Sequence, residues 1–258
     1  MFSDLKSKRV LITGASQGIG LAAALAFVKQ GARVGISSRS KDENAATALK
    51  CLQQAGGDVK HYAGDLSHSG ECEKLIKQFV SDFGGIDVLT NNAGSLVGRK
   101  ALAELDDDFF SQVFDINARS TVMTTKFALP HLIASAKMSG VTSSVILVGS
   151  IAGYNGGGPG ASLYAASKAW LHTVQKNWVS TYTKDGVRFN VIAPGTVDTV
   201  FHADKNDETR AKINATIPMG RFGTAEEMAP SFLFLASHAC SGYITGQIIN
   251  INGGQYMP

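Results

Sequence analysis

Short apolar, β-branched runs alternate along this chain with longer stretches whose apolar residues recur at helical spacing. Arg9–Thr13 (RVLIT), Arg33–Ser37 (RVGIS), Asp58–Ala63, Val88–Asn91, Ser144–Gly149 (SVILVG), Arg188–Ala193 (RFNVIA) and Gln247–Ile251 (QIINI) read as strands. Most lack polar alternation, as strands buried on both faces do. Gly18–Gln30, Lys41–Ala55, Ser69–Phe83, Asp107–Lys137 and Ala161–Lys184 read as helices. Gly31, Gly56-Gly57 and Gly84-Gly85 stop the first three. Pro130 is expected to kink or split the long one. Strands separated by helices need crossover connections, and crossovers in one sheet are right-handed. The expected fold is therefore α/β: a doubly wound parallel sheet of Rossmann type, about seven strands, with helices on both faces. With 258 residues and no low-complexity linker, the chain is expected to form a single domain over residues 1–258. The least regular stretch, Gly195 to Gly223, is polar in its middle (HADKNDETR) and is expected to be a substrate lid.

Composition narrows the class of function. A 44% hydrophobic and 17% charged content is that of an ordered globular protein. The net charge is +3 and the basic residues are scattered, which argues against nucleic acid. No apolar run reaches the roughly 18–20 residues of a membrane span, and Met1–Arg9 lacks the apolar region of a signal peptide. Cys51, Cys72 and Cys240 have no CxxC spacing, and the His residues form no HxxxH or HExxH pair, so neither a disulfide framework nor a metal site is expected. A cytoplasmic enzyme with reduced thiols is the simplest reading.

The chemistry starts where the first strand meets the first helix, at Thr13–Gly20 (TGASQGIG). Glycines let the backbone turn tightly and approach a ligand, and the free N–H groups of the helix start favour a pyrophosphate. The spacing is GxxxGxG rather than the commoner GxGxxG, and a glycine turn can also serve packing alone; its place after the first strand points to a dinucleotide. The second strand ends in Ser37-Ser38-Arg39, with no carboxylate where an NAD site would hold the ribose hydroxyls. A guanidinium suits a 2′-phosphate, so NADP(H) is favoured, with NAD(H) the alternative. Tyr164 and Lys168 stand four residues apart and so share a helix face. Ser150 and Asn91–Gly94 end strands at the edge where open α/β sheets bind ligands.

Taken in order, TGASQGIG, NNAG (Asn91–Gly94), DINA around Asn117, GSIAG around Ser150, YAASK (Tyr164–Lys168) and APG (Ala193–Gly195) resemble the short-chain dehydrogenase/reductase family over nearly the whole chain. The resemblance implies a catalytic tetrad of Asn117, Ser150, Tyr164 and Lys168. It implies a cofactor site of Gly14, Ser16, Gln17, Gly18, Ile19, Gly20, Ser38, Arg39, Asp65, Leu66, Asn92, Ala93, Gly94, Tyr164, Lys168, Pro194, Gly195, Val197 and Thr199, with Asp65 on the adenine edge. Gln17 stands where NADP-using members often carry Arg or Lys, which weakens the NADP(H) reading, and the loop GYNGGGPG (Gly153–Gly160) is about one residue longer than usual there.

The implied reaction is hydride transfer between a nicotinamide and a carbonyl or secondary alcohol. Tyr164 protonates the carbonyl oxygen, or removes the alcohol proton in reverse. A tyrosine titrates near 10, so use as a base at neutral pH asks for a fall of about 3 units, roughly 4 kcal/mol of differential stabilisation. The Lys168 ammonium and the positive nicotinamide ring are expected to supply it. Ser150 would stabilise the oxyanion, and Asn117 would hold a water joining Lys168 to solvent.

The pocket walls are expected at Ser95–Val97, Ile151–Asn155 and the lid, with Leu96, Val97, Tyr154, Val197, Val200 and Phe201 mostly apolar. A medium-sized, mainly apolar or mildly polar carbonyl compound fits; a 3-oxoacyl thioester on carrier protein, met by Arg99 and Lys100, or a sugar or polyol are alternatives. A non-catalytic NADP(H)-sensing regulator is the reading from another class, and the filled tetrad argues against it. Trp170 lies two residues beyond Lys168, about 200° round the helix, and with Val174 and Trp178 suggests a covered outer face. The family resemblance implies a homotetramer.

Overall fold

The computed structural model describes residues 2–203 and 205–258; Met1 and Asp204, the latter within the expected lid, lie outside the described residues. The chain runs β1 (Arg9–Ile12), α1 (Gly18–Lys29), β2 (Arg33–Ser38), α2 (Glu43–Gln54), β3 (Asp58–Ala63), α3 (Ser69–Phe83) and β4 (Val88–Asn91). It continues through α4 (Asp107–Phe114), a π-helical turn (Asp115–Arg119), α5 (Ser120–Ser139), β5 (Ser143–Val148), the short α6 (Ala152–Asn155), α7 (Ser162–Tyr182) and β6 (Val187–Pro194). After it come a 3-10 turn (Val200–His202), α8 (Asp207–Asn214), α9 (Ala225–Ala236), α10 (His238–Ser241) and β7 (Ile248–Ile251).

Among the described residues the strands form one parallel sheet in the order β3-β2-β1-β4-β5-β6-β7. The winding reverses between β1 and β4, and the crevice at that switch point is where such sheets take ligands. Each face of the sheet carries its own core. On one side Val10, Ile12, Val34 and Ile36 pack against Phe27 of α1, Leu52 of α2 and Phe232 of α9. On the other, Leu11, Leu89, Val145, Leu147 and Val191 pack against Phe79 of α3, Leu132 of α5 and Leu171 of α7. Strands buried on both faces have no polar side to show, which is why their runs read as continuously apolar.

Pro130 does not break α5. Both Pro130 and Lys126, whose carbonyl loses its helical partner, are exposed, so water can take the bond. The long helix is interrupted earlier, at the π turn Asp115–Arg119, which turns Asn117 inward. The helix α9 lies beyond the elements expected from the pattern, although Thr224 and Glu227 form the reciprocal capping box that announces a helix start. It buries Met228, Phe232 and Leu233 against α1.

At the amino ends of the central strands Arg9 and Asp87 tie β1 to the start of β4. The Arg9 Nε and Nη2 donate to the two Asp87 carboxylate oxygens at 2.8 Å each, and the Arg9 N–H adds a third bond at 2.8 Å. Both side chains are largely buried. Burial alone would raise the Asp87 carboxyl, but the hydrogen bonds and charge of Arg9 outweigh it and hold it below the usual carboxylate range. Truncating one member of such a pair strands the other charge, at a cost of about 3 kcal/mol. Asp87→Ala is expected to lower the unfolding free energy from urea titration by that amount at pH 7, with a lower midpoint. The penalty should shrink as pH falls through the lowered Asp87 value, where the wild type protonates and loses the same interaction. Equal midpoints at pH 7 would refute the role.

Candidate active site

The glycine turn, the ends of β4 and β5, and α7 meet at the carboxyl edge of the sheet. Thr13 Oγ1 accepts from the N–H groups of Asn92 and Ala93 at 3.0 Å each, and the Asn92 amide donates to the carbonyls of Thr13, 3.0 Å, and Gly14, 2.8 Å. β4's end therefore clamps the turn. Gly14 has φ +63°, and a Cβ there would stand 2.8 Å from the Ala93 Cα; one on Gly20 would stand 2.5 Å from the Asn92 amide. Gln17 precedes α1 without a side-chain cap, so the first N–H groups of the helix remain open to an anion. Ser16, Gly18 and Ile19 lie along this cradle, and Thr199 comes down beside Gly18, its methyl 3.5 Å from where a Cβ would stand. A pyrophosphate fits these residues: backbone donors, no side chain in the way, and an unsatisfied helix start.

At the adenosine end, Ser38 and exposed Arg39 close β2 while Asp65 follows β3. Burial would raise Asp65, but bonds from Ser67 and then the charges of His68 and Arg39 hold it below the usual range. Leu66 and Val197 send their side chains into the core, leaving backbone groups to face a ligand. Pro194 ends β6, and Gly195 packs so tightly on Asn252 that a Cβ would stand 2.7 Å from its Cα.

Asn117, Ser150, Tyr164 and Lys168 come together as the motifs require. The Asn117 amide donates to the carbonyls of Ser95, 2.8 Å, and Val113, 2.9 Å, and its oxygen accepts from the Ser95 N–H. Gly94 separates Asn117 from Lys168: a Cβ there would be 2.7 Å from Asn117 Oδ1 and 3.1 Å from Lys168 Nζ. Lys168 is buried and donates to the Val148 carbonyl at 2.8 Å, its Nζ 5.7 Å from the Tyr164 ring centre. Burial pushes the Tyr164 phenol up to about 12, against a bond from Ser150 that pulls it down. Burial brings the Lys168 ammonium down to about 8.

Of the expected walls, Phe201 meets Tyr164, with ring centres 5.6 Å apart, while Val197 turns into the core. Val97, a β-branched residue at φ +63°, holds a strained loop beside Ser95, and such strain gathers at functional sites. The two ends of the expected lid are joined by the Gly223 N–H on the Thr196 carbonyl, 3.0 Å, and the Asp198 N–H on the Gly223 carbonyl, 2.8 Å. Arg99 donates to the Pro159 carbonyl and Lys100 pairs with Asp106, so both cations already have partners. Sequence reasoning missed three further groups: His172, one turn beyond Lys168; Tyr256, which stacks on Tyr154 at 4.6 Å; and His61, which bonds Ser38. The spacing Tyr164, Lys168, His172 along one helix face could have flagged the first. Among the described residues no group of acidic, His or Cys side chains is placed to hold a metal, and no helix is long and apolar enough to cross a membrane.

A family model described as Enoyl-(Acyl carrier protein) reductase matches residues 14–255. The chain is 35% identical, over 97% of its length and 98% of the relative, to the 3-oxoacyl-[acyl-carrier-protein] reductase FabG of Thermotoga maritima. It is 34% identical, over 98% of its length and 95% of the relative, to the 3beta-hydroxysteroid dehydrogenase 1 of Eggerthella lenta. Among solved structures it superposes on the NADH-dependent reductase A1-R′ responsible for alginate metabolism with a TM-score of 0.93 and 53% identity, covering 99% of this chain and 100% of that one. The same reductase complexed with NAD superposes with a TM-score of 0.90 and 52% identity, both chains covered in full. The chain belongs to the short-chain dehydrogenase/reductase family, and it is an oxidoreductase of the NAD(P)-dependent kind.

The cradle is directly testable. Gly20→Ala is expected to push the Asn92 amide off the Thr13 and Gly14 carbonyls and raise the dissociation constant for dinucleotide at least about tenfold, the loss of one to two hydrogen bonds. Titration of protein fluorescence measures it; unchanged affinity would mean that the turn does not hold the cofactor.

Proposed function

We propose that this chain is an NADP(H)-dependent reductase of a small carbonyl compound, with Tyr164 as the proton donor. The observation that carries the reading is the convergence of Tyr164, Lys168, Ser150 and Asn117 beside the glycine cradle. The nicotinamide, when bound, supplies or accepts the hydride. Ser150 donates to the carbonyl oxygen as charge grows on it, and the Tyr164 hydroxyl passes its proton to that oxygen. Lys168 holds the nicotinamide ribose and, while charged, favours the phenolate left behind. Asn117, through its bonds to Ser95 and Val113, keeps the backbone open for a water that restores the proton. The cradle residues Gly14 to Gly20 take the pyrophosphate, Asp65 the adenine edge, and Arg39 the ribose 2′-phosphate, while Asn92–Gly94, Pro194, Gly195 and the backbone of Val197 and Thr199 line the nicotinamide side. The lid spans 195–223 within a single domain.

Two observations favour NAD(H) as a second reading: the 53% identical reductase is NADH-dependent, and the Ser38 hydroxyl already spends its proton on the Ser40 carbonyl. For the substrate, identity of 52–54% to the reductase of alginate metabolism, against 35% for the 3-oxoacyl reductase, supports a carbonyl compound from alginate breakdown over an acyl thioester. The partnered state of Arg99 and Lys100 points the same way, since neither is left to meet an acidic carrier. The same proposal makes the enzyme a cytoplasmic homotetramer. Its free cysteines, the exposed Phe110 and Met138 and the half-buried strand β7 support that assignment.

Tyr164→Phe keeps the ring and removes the proton, so kcat for reduction is expected to fall about a thousandfold with dinucleotide affinity within a few-fold. Retention of most turnover would overturn the assignment. Steady-state rates with both cofactors on alginate-derived carbonyls, 3-oxoacyl thioesters, sugars and steroids test the rest. NADP(H) should lead by about tenfold, the modest worth of an exposed charge-assisted pair. Ser38→Asp with Arg39→Ile should reverse the order.

The reductive kcat/KM is also expected to fall as pH rises through about 8, where Lys168 loses its charge, while Tyr164 at about 12 stays protonated. Lys168→Arg should move the fall to higher pH. A flat profile from pH 6 to 10 would remove Lys168 as the charged partner.

A further inference from the structure

The strand β3 is the edge of the sheet, and its register puts His61 opposite Ile36 and Ala63 opposite Ser38. His61 is half-buried, and its Nε2 lies 2.7 Å from Ser38 Oγ. The same hydroxyl lies 2.7 Å from the Ser40 carbonyl, to which it donates. A hydroxyl has one proton. With that proton on Ser40, the bond to His61 must run from an Nε2–H to the Ser38 oxygen. Both the imidazolium and the Nε2–H tautomer can supply it.

The chain of bonds continues. Ser40 Oγ donates to Asp42 at 2.8 Å, and Asp42 accepts from the Ala45 N–H, 2.9 Å, as the cap of α2. A run of hydrogen bonds thus spans from the edge strand through the turn after β2 to the start of α2. Arg39 sits inside it, its backbone fixed from both sides and its side chain exposed. The groove outside His61 is bordered by Lys41, Lys74, Lys77 and Asp82, of which Lys74 pairs with Glu71, Lys77 with Glu73 and Asp82 with Lys60.

We propose that His61 is a positioning residue for cofactor choice: by donating to Ser38 it fixes the Ser38–Ser40 turn so that Arg39 is presented to the ribose 2′-phosphate. This rests on the NADP(H) reading above. His61 has no contact with the dinucleotide in this scheme; it acts through Ser38 and the turn. Pre-organisation of this kind spares the cost of ordering the turn on binding, and that saving applies to the cofactor that uses Arg39. NAD(H), which has no 2′-phosphate, gains little from it.

The test is direct binding, by fluorescence titration of NADP+ and NAD+ separately, on wild type, His61→Leu and His61→Gln. Wild type should bind NADP+ more tightly. His61→Leu removes the donor and should weaken NADP+ about fivefold, the worth of one hydrogen bond, with NAD+ within twofold. His61→Gln, whose amide can reach Ser38, should restore most of the loss. Ser38→Ala should give a similar selective loss, and the double variant His61→Leu with Ser38→Ala no more than either alone, because both cut one chain. This second arm keeps the proposal exposed where His61→Leu folds poorly. Equal weakening of both cofactors, no change in either, or simple additivity of the two changes would overturn the role of His61 while leaving the NADP(H) reading in place. A wild type that binds NAD+ as tightly as NADP+ would overturn that reading, and this inference with it.

Discussion

A buried ammonium needs acceptors, and the site is arranged around that need. Lys168 is held at the carboxyl edge of the sheet by the Val148 carbonyl, in surroundings apolar enough to bring it down to about 8. Its neighbours follow from the constraint. Gly94 has to lack a side chain, because Asn117 and Lys168 both crowd the space a Cβ would take. The π turn has to interrupt the long helix, because a regular helix would not carry Asn117 inward to Ser95 and Val113. Tyr164, one turn before Lys168 on α7, then meets Ser150 at the end of β5.

Burial acts on the two titrating groups in opposite directions but to one end. It raises the phenol and lowers the ammonium, so both are pressed toward their neutral forms. In the proposed reaction the Tyr164 proton leaves only when charge appears on a bound carbonyl. The same desolvation that discourages the phenolate at rest strengthens its attraction to Lys168 once it forms. Without the positive nicotinamide ring, which is expected to act with Lys168 on the phenol, burial leaves Tyr164 above its ordinary value.

The legible parts of this fold are those in which side chains face a uniform environment. The strands β3 and β4 and the helix α3 fall where the pattern puts them, and the glycines of the cradle announce a backbone that must come close to something. Less legible were features decided by a single long-range contact. The π turn lies inside one long helical stretch, and Asn117 within it reaches back to Ser95, 22 residues away in the loop after β4. The helix α9 carries a capping box, but Pro230 and the mixed stretch before it mask the period; both prolines, here and at 130, sit on exposed faces open to solvent. His61 gave no signal, since a histidine on a polar edge strand reads as solvated until the register sets it beside Ser38.

The clamp between the glycine turn and β4 joins residues 78 apart in the chain, with the Asn92 amide reaching the Gly14 carbonyl. β1 and β4 are neighbours in the middle of the sheet although three crossovers lie between them along the chain. That seam closes only after a long loop has been ordered, and contacts of this kind form slowly. The dinucleotide cradle exists on the closed seam and nowhere in the unfolded chain. A ligand that binds there draws the equilibrium toward the folded state in proportion to its concentration. The cofactor pool of the cell thereby becomes a term in the lifetime of the protein, with the enzyme hardest to unfold, and hardest to degrade, when its coenzyme is plentiful.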